Sequence, residues 1–281
     1  MNFLFTIDNG YIEPIKTLLF SIFVNMGEGQ NFYFIYQNIL LEKREEIIEF
    51  AETKCKSEAI FVEYKNDMLN HLPVLGTWSK EIYLRLFAPF VLENIDRILY
   101  LDGDTIVNGD LTEIFNLEDF EDFMFAAVPN DIQDSHKVRL GLEEKNVYIN
   151  SGVLLMNLEK LRQQISPEEV IRLLFEFKDK LLFPDQDFIN LVFKDNIKIL
   201  DIEYNYMINL IERVTTYPKL NQFKICHYVL SKPWNVEFPY KTDYIFFKYL
   251  LKRKQFRDVF YLWYKHRKVR MVYKINNARK R

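Results

Sequence analysis

Two aspartates separated by one glycine follow an apolar run near the middle of the chain. Asp102 and Asp104 flank Gly103 directly after the run that ends at Leu101. A backbone bend at the glycine would let the two carboxylates converge and would let a ligand approach the main chain. Two hard oxygen ligands suit Mg²⁺ or Mn²⁺, which keep coordination room for the phosphates of a substrate. A cation held there would neutralise a diphosphate and make it a better leaving group.

Other interpretations fit the same segment. A polar turn without a ligand would leave the carboxylates in water or use them to cap Asn108 and its neighbours. The nucleophile loop of haloacid-dehalogenase phosphatases has the same residue pattern, but it lies on the first strand and needs a second acidic pair downstream. An EF-hand loop would use Glu113 as its last ligand, but Val107 occupies the glycine position and no helix precedes the loop. The polar turn without a ligand therefore remains as the alternative to a metal site.

The apolar runs around this motif predict alternating strands and helices. We expect strands over residues 3–7, 31–36, 58–63 and 96–101, and helices over residues 11–25, 41–55 and 79–90. Such alternation predicts an α/β fold with a parallel or mostly parallel sheet. Ligands of these sheets bind at the carboxyl ends of the strands. Asp8 follows the first predicted strand and Asp102 the fourth, so both acidic turns would lie at one edge.

The composition suits one extended domain with an appendage. Of the 281 residues 49% are apolar, and the chain has no internal repeat, low-complexity run or Gly/Ser linker. The two cysteines, Cys55 and Cys226, are expected to be free thiols in a reducing compartment. The first residues lack the pattern of a secretory signal, and no apolar stretch reaches the ~18 residues of a spanning helix. These features predict a cytosolic protein.

Residues 101–107 resemble the Asp-x-Asp motif of the family 8 retaining glycosyltransferases, which include bacterial lipopolysaccharide galactosyltransferases and glycogenin. Five further segments resemble motifs of that family in the same order, between Phe3 and about Asn235. They are Phe5-Thr6-Ile7-Asp8 with Tyr11, Tyr83-Leu84-Arg85-Leu86, residues 148–158 with Asn150-Ser151-Gly152, Pro184-Asp185-Gln186-Asp187, and His227-Tyr228 with Lys232-Pro233-Trp234. A lone Asp-x-Asp is weak evidence, whereas five ordered companions are strong evidence.

The resemblance implies a GT-A fold, a Rossmann-like and mostly parallel sheet flanked by helices. It implies a UDP-sugar donor, retention of the anomeric configuration, and Mn²⁺, with Mg²⁺ as the alternative cation. Asp102, Asp104 and His227 would be the metal ligands. Asp8 would bind the edge of the uracil, and Tyr11 would stack on it.

The other site residues also take their roles from the resemblance. Lys232 would contact the diphosphate, as a point charge on the leaving group. The donor-binding segments would also contribute Thr6, Ile7, Gly103 and Ser151. The donor sugar and the reaction centre would be lined by Arg85, Asn150, Asp185 and Gln186.

Simpler roles compete at several of these positions. A lone histidine such as His227 is more often packed or solvated, Asn150 could be a turn residue, and Asp185 could be the N-cap of the helix that follows. Gln186 is a poor nucleophile because it is an amide, so it would stabilise an oxocarbenium-like state, with attack by the acceptor on the same face.

The last motif departs from the family pattern. Only four residues separate His227 from Lys232, where the family usually has five, and Leu230 stands where a glycine is expected.

The end of the chain is strongly basic and aromatic. The net charge is −3, yet residues 248–281 hold 13 Lys and Arg and one acidic residue, which leaves 24 basic and 39 acidic residues in the remainder. Residues 241–268 interleave aromatic and basic side chains and predict one or two amphipathic helices. These helices could pack on the body, bind nucleic acid or dock on an anionic membrane. The acidic body and the lack of a nucleic-acid motif argue against the second use, and docking is favoured because lipid-linked glycans lie on the cytosolic leaflet.

Two regions are therefore expected, a GT-A catalytic domain over 1–240 and a basic, aromatic-rich C-terminal helical extension over 241–281. We expect the chain to move a hexose, galactose or glucose, from a UDP-hexose to a glycan or lipid-linked glycan acceptor. The alternative is a non-catalytic nucleotide-sugar or glycan-binding protein with the same fold. The expected location is the cytoplasm, peripheral on the inner face of the membrane, with no nucleic-acid partner.

Overall fold

A computed structural model describes residues 1–74, 79–208, 222–229, 232–235 and 243–278 of the chain. Within the last of these ranges, side chains are described through residue 265 and at 267 and 268. Leu230, which stands where the family pattern has glycine, lies outside the described residues.

The first part of the chain forms four neighbouring strands of a sheet, and these strands lie where the sequence predicts them. Strand β1 pairs in parallel with β2 and β4, and β2 pairs in parallel with β3. The elements in chain order are β1 (Asn2–Phe5), α1 (Ile12–Met26), β2 (Asn31–Tyr36), α2 (Leu41–Cys55), β3 (Glu58–Glu63), a 3-10 helix (Asp67–His71), a second 3-10 helix (Lys80–Phe87), α3 (Ala88–Val91) and β4 (Arg97–Leu101).

The second half completes this sheet and adds a smaller one. The seven-stranded sheet has the order β3-β2-β1-β4-β7-β6-β8, and the small sheet has the order β5-β10-β9. The elements are β5 (Thr105–Val107), α4 (Thr112–Phe115), a 3-10 helix (Phe120–Asp122), β6 (Phe125–Ala127), α5 (Asp134–Leu140), β7 (Val153–Asn157), α6 (Leu158–Gln164), α7 (Pro167–Phe177), α8 (Pro184–Val192), β8 (Ile197–Ile199), a 3-10 helix (Ile202–Tyr204), β9 (Tyr206–Met207) and β10 (Ile225–His227).

The large sheet is mostly parallel, as the sequence predicts. Strand β7 is antiparallel to both β4 and β6, whereas β6 and β8 are parallel. A hydrophobic core covers each face of the sheet. Successive side chains of a strand point to opposite faces, so one strand contributes to both cores. In β1, for example, Phe3 and Phe5 pack in one hydrophobic core and Leu4 packs in the other.

One expected helix is split. Residues 79–90 were predicted as a continuous helix, but they form the 3-10 helix Lys80–Phe87 followed by α3. Pro89 accounts for the break between the two helices, since it has no N–H to donate to the carbonyl of Arg85. The N–H of Ala88 bonds to that carbonyl instead, with the tighter spacing of a 3-10 turn.

The C-terminal region forms the two helices α9 (Asp243–Lys252) and α10 (Phe256–Ala278). Helix α9 packs on the body, where Tyr249 joins the apolar cluster around the small sheet and accepts a hydrogen bond from Asn25 of α1 at 2.8 Å. Arg253 follows α9, and its buried side chain donates to Thr17 Oγ1 at 2.5 Å. Among the described residues, no helix is long and apolar enough to cross a membrane.

Candidate active site

Two strand pairings bring the Asp-x-Asp segment together with two distant parts of the chain. Leu101 at the end of β4 pairs with Val153 of β7, so the N–H of Asp102 donates to the carbonyl of Gly152 at 2.8 Å. Thr105 at the start of β5 pairs with His227 at the end of β10. The motif is therefore held between the large sheet and the small sheet, at the carboxyl end of β4.

Three ligand atoms converge at this point. Nε2 of His227 lies 3.2 Å from Oδ1 of Asp104 and 3.7 Å from Oδ2 of Asp102. The ligand atoms of the three residues all lie within 4.8 Å of one another. Oδ1 of Asp104 is buried and has no hydrogen-bond donor among the described residues. A buried acceptor of this kind is costly unless a cation or a donor satisfies it, so the cluster fits a divalent metal ion.

The second oxygen of each aspartate is held by a different basic side chain. Oδ1 of Asp102 accepts from Arg85 at 2.9 Å and from the hydroxyl of Tyr100 at 2.6 Å. Oδ2 of Asp104 accepts from Lys232. Burial would raise the pKa of Asp104, but Lys232 opposes burial, and the net shift of that pKa is downward. Each carboxylate therefore keeps one oxygen for the space beside His227.

Gly152 is required by close approach. A Cβ atom at this position would lie 2.6 Å from Oδ2 of Asp102 and closer still to Cε1 of His227. Any larger residue would push apart two of the three candidate ligands. The Asn-Ser-Gly segment thus contributes empty space to the cluster as well as side chains.

One expected role of Gly103, a bend that needs the backbone freedom of glycine, is not supported by the structure. Gly103 does not adopt a positive φ, so the turn between Asp102 and Asp104 does not depend on the backbone freedom of glycine. A Cβ atom on Gly103 would instead lie 2.9 Å from Cδ1 of Tyr11 and 3.3 Å from Cγ2 of Ile7. The glycine leaves room for these side chains of the N-terminal loop.

The N-terminal loop lies at the carboxyl end of β1, beside this turn. Oγ1 of Thr6 lies 3.1 Å from the hydroxyl of Tyr100, and Oδ1 of Asp8 accepts from the N–H of Gly10 at 2.7 Å. The ring of Tyr11 meets the edge of Trp234 at 6.0 Å between centroids. Thr6, Ile7 and Tyr11 thus lie beside the Asp-x-Asp turn, and Asp8 belongs to the same loop.

Arg85 joins the aspartates to the Pro-Asp-Gln-Asp segment. Its side chain is 4% exposed and lies 3.2 Å from Oδ2 of Asp185, which also accepts from Ser151 Oγ at 2.8 Å. Burial raises the pKa of Asp185, and Arg85 opposes that shift. The N-cap of α8 is Phe183, so the interpretation of Asp185 as the helix N-cap was wrong. The carboxylate of Asp185 instead forms an ion pair with Arg85.

Gln186 and Asn150 are fixed by buried hydrogen bonds. Oε1 of Gln186 accepts from Asn150 Nδ2 at 2.8 Å and from the N–H of Ser151 at 3.1 Å. Nε2 of Gln186 donates to the hydroxyl of Tyr148 at 2.9 Å. The amide is therefore held in one orientation at the heart of the site.

Asp187 is completely buried, and both of its oxygens are occupied. Oδ1 lies 2.5 Å from the hydroxyl of Tyr148 and 2.8 Å from Nε2 of His136. Oδ2 accepts from the N–H groups of Leu182 and Phe183 at 2.7 and 2.9 Å. Asp187 anchors the start of α8.

Several site residues were not identified from the sequence. Tyr148 and Asp187 lie inside recognised segments, so their positions carried a signal that was not used. Tyr100 lies in β4, two residues before Asp102, at a position where the strand pattern predicts an apolar residue. Asn205, which contacts His227, lies in no recognised segment and had no signal of its own.

The family and fold comparisons agree with this geometry. The model of the family described as Glycosyl transferase family 8 matches residues 2–237. The chain is 27% identical over 252 residues to the lipopolysaccharide 1,2-glucosyltransferase of Escherichia coli K12, which covers 84% of this chain and 73% of that protein.

Two solved structures share the fold. The galactosyltransferase LgtC, solved in complex with donor and acceptor sugar analogues, superposes with a TM-score of 0.76 at 22% identity, over 89% of this chain and 95% of that one. The glycosyltransferase GlyE of Streptococcus pneumoniae TIGR4 superposes with a TM-score of 0.63 at 25% identity, over 88% of this chain and 59% of that one.

Proposed function

This chain belongs to glycosyl transferase family 8, and on that premise we propose that it transfers a hexose from a UDP-sugar to a glycan or glycolipid acceptor with retention of configuration. Galactose and glucose are the proposed sugars. The observation that carries the proposal is the convergence of Asp102, Asp104 and His227 within 4.8 Å at the carboxyl edge of the sheet. Ligands of open α/β sheets bind at this edge.

Asp102, Asp104 and His227 would hold Mn²⁺, or Mg²⁺ in its place. Two carboxylates and one imidazole suit Mn²⁺, which accepts both oxygen and nitrogen ligands. When bound, the cation would offset the negative charge of the donor diphosphate and of the UDP that departs. Lys232, which already pairs with Asp104, would add a second positive charge beside the same phosphates.

The remaining residues divide between the two ends of the donor. Asp8 and Tyr11 would bind the base, and Thr6, Ile7 and Gly103 would line the nucleotide side of the cleft. The sugar side would be lined by Arg85, Asn150, Ser151, Asp185 and Gln186. Their mutual contacts support this division, because the second group forms one buried network that meets the aspartates at Arg85.

The carboxylates near Gln186 are occupied, which favours attack by the acceptor on the same face of the sugar from which UDP departs. A double displacement needs a free carboxylate as the nucleophile. Among the described residues next to Gln186, Asp187 has four hydrogen-bond donors and Asp185 is paired with Arg85 and Ser151. In the proposed step the acceptor oxygen bonds to C1 of the sugar, the bond from C1 to the UDP oxygen breaks, and the acceptor proton passes to the departing phosphate.

The amide of Gln186 would act in this step through its dipole. Both lone pairs of Oε1 are already used, so the partial negative charge of that oxygen is fixed in place. A fixed dipole of this sign stabilises an oxocarbenium-like state. Gln186→Ala should therefore lower turnover, and an undiminished rate would exclude a direct role.

Donor hydrolysis tests the proposed function. UDP release is measured from a panel of UDP-sugars, with Mn²⁺ and then with EDTA. We expect release from one donor that needs the cation, is abolished in Asp104→Ala and is kept in Asp195→Ala, an exposed aspartate outside the site. If no donor releases UDP and UDP does not bind in the presence of Mn²⁺, the enzyme proposal fails and a non-catalytic binding protein becomes the better interpretation.

We also propose that α10 docks on an anionic membrane surface on the cytoplasmic side. Phe256, Phe260 and Trp263 are spaced along one side of the helix and are 64%, 67% and 46% exposed. Leu262, on another side, is buried against the body. Exposed aromatic rings beside Lys and Arg are typical of helices that lie in the headgroup region of a bilayer. A lipid-linked acceptor would be presented at the same surface.

A further inference from the structure

His227 is linked to the interior by a series of buried amide hydrogen bonds. Nδ1 of His227 lies 2.9 Å from Oδ1 of Asn205, and Nδ2 of Asn205 donates to Oδ1 of Asn150 at 2.7 Å. The N–H of Gly152 donates to the same Asn150 oxygen at 3.0 Å. Asn205 is fully buried, and Asn150 and His227 are nearly so. The imidazole therefore has a defined partner on the side that faces away from the aspartates.

The direction of these hydrogen bonds is set by the backbone. A backbone N–H can only donate, so the Asn150 atom that faces Gly152 must be the oxygen. The other end of Asn150 agrees, because its NH₂ group donates to the Gln186 oxygen that also accepts from the N–H of Ser151. Two independent backbone donors thus fix the orientation of Asn150.

The orientation passes from Asn150 to the histidine. Since Asn150 presents its oxygen, Asn205 must present its NH₂ group to it and its own oxygen to His227. Nδ1 of His227 must then be the donor and carry the proton. In a neutral ring Nε2 is left with its lone pair, and this atom faces Oδ1 of Asp104 and Oδ2 of Asp102.

We infer that Asn205 is a positioning residue that fixes His227 in the tautomer able to ligate a divalent cation. The proposal rests on the proposed metal site, but it concerns a residue outside every recognised motif. Groups that bond to the far nitrogen of a metal-binding histidine set its tautomer and ring orientation. Asn150 then serves both sides of the site, because it bonds to Asn205 with its oxygen and to Gln186 with its NH₂ group.

The first measurement is the tautomer itself. Long-range ¹H–¹⁵N correlation spectra of metal-free protein labelled on its histidines distinguish an Nδ1-bound proton from an Nε2-bound one. The signals of His227 are assigned by their loss in His227→Gln. We expect Nδ1 of the wild-type ring to carry a proton, because it faces the oxygen of Asn205. An Nδ1 without a proton in the wild-type protein would overturn the proposal without any variant.

The second measurement uses Asn205→Leu and Asn205→Asp. The leucine has no acceptor for Nδ1, so the Nδ1-protonated form should lose its preference and the dissociation constant for Mn²⁺ should rise about 10- to 100-fold. The aspartate still offers an acceptor to Nδ1 and should keep that tautomer. Asn25→Leu is the control, since the Asn25 side chain also makes three hydrogen bonds, which are partly buried, but contacts none of the site residues.

The outcomes are separate from those of the donor assay. Unchanged tautomer and unchanged Mn²⁺ affinity in Asn205→Leu would overturn the role of Asn205, even if UDP-sugar turnover is found in the wild type. Conversely, a chain that turns over no donor can still show the Nδ1-bound proton and its loss in the leucine variant. If that variant does not fold, the wild-type spectrum decides alone.

Discussion

Arg85 donates to Oδ1 of Asp102 at 2.9 Å, and it thereby leaves Oδ2 of the same carboxylate facing His227. The guanidinium also lies 4.1 Å from the centre of the Tyr100 ring, whose hydroxyl bonds to the same Asp102 oxygen. Burial lowers the pKa of Arg85, but Asp102 and Asp185 outweigh burial and raise it, so the group stays charged. One buried cation therefore orients two carboxylates of the site.

We expect Arg85→Gln to destabilise the fold as well as the site. Removing one partner of a buried ion pair leaves the other charge uncompensated, at a cost of roughly 3–5 kcal/mol. Urea denaturation of the metal-free protein measures the free energy of unfolding. Arg172→Gln is the control, because Arg172 pairs with Glu169 and Glu176 on the exposed surface of α7 and should matter little. Equal stability of the two variants would contradict a structural role for the Arg85 ion pairs.

Gly152→Ala should abolish Mn²⁺ binding while most of the fold persists. The new Cβ would meet Oδ2 of Asp102 and the ring of His227, and neither can move without breaking the cluster. Titration of Mn²⁺ by electron paramagnetic resonance measures the loss. Gly27→Ala separates this effect from general strain, because Gly27 has a positive φ but no atom within 4 Å of the new Cβ. Wild-type affinity in Gly152→Ala would show that the three ligands do not converge as described.

The sequence predicted the edge of the sheet where the site lies, because that prediction needs only the order of strands and acidic turns. It did not predict Asn205, since a buried amide contributes through an orientation that only the folded chain defines. It named Asp185 as a site residue, but it left open a helix cap at Asp185 and a conformational role for Gly103, because the local patterns also fit a cap and a turn. Tertiary neighbours, Tyr11 in one case and Arg85 in the other, decide these roles.

Asp187→Asn should be strongly destabilising. An amide cannot accept on both sides, so either the N–H groups of Leu182 and Phe183 or the Tyr148 and His136 donors would lose their acceptor. Leaving such buried donors unpaired costs roughly 3 kcal/mol. Thermal unfolding checks this, with Asp195→Asn as the exposed control. If Asp187 were instead a nucleophile, its variant would stay stable and the wild type would form a glycosyl-enzyme detectable by mass spectrometry.

The two cysteines should be unreactive in the native protein. Cys55 and Cys226 are buried, and burial raises the pKa of each thiol to about 12. The thiolate is the reactive form, so a disulfide reagent should modify neither residue until the chain is unfolded. Since the folded pKa lies above the ordinary value of about 9, their contribution to stability is intact below that pH and is lost as the pH rises towards 12. Rapid modification of the native protein would contradict the burial of these thiols.

The aromatic side of α10 should control binding to lipid vesicles. Phe260→Ser and Trp263→Ser together remove two exposed rings that lie 6.2 Å apart, and they leave every Lys and Arg in place. If the rings enter the headgroup region, the pair should weaken flotation with vesicles that contain anionic lipid, whereas Tyr244→Ser, an exposed ring on α9, should not. If flotation falls both with added salt and in the double variant, then charge and apolar contact both contribute to binding. Equal flotation with neutral and anionic vesicles would instead exclude recognition of anionic lipid by this helix.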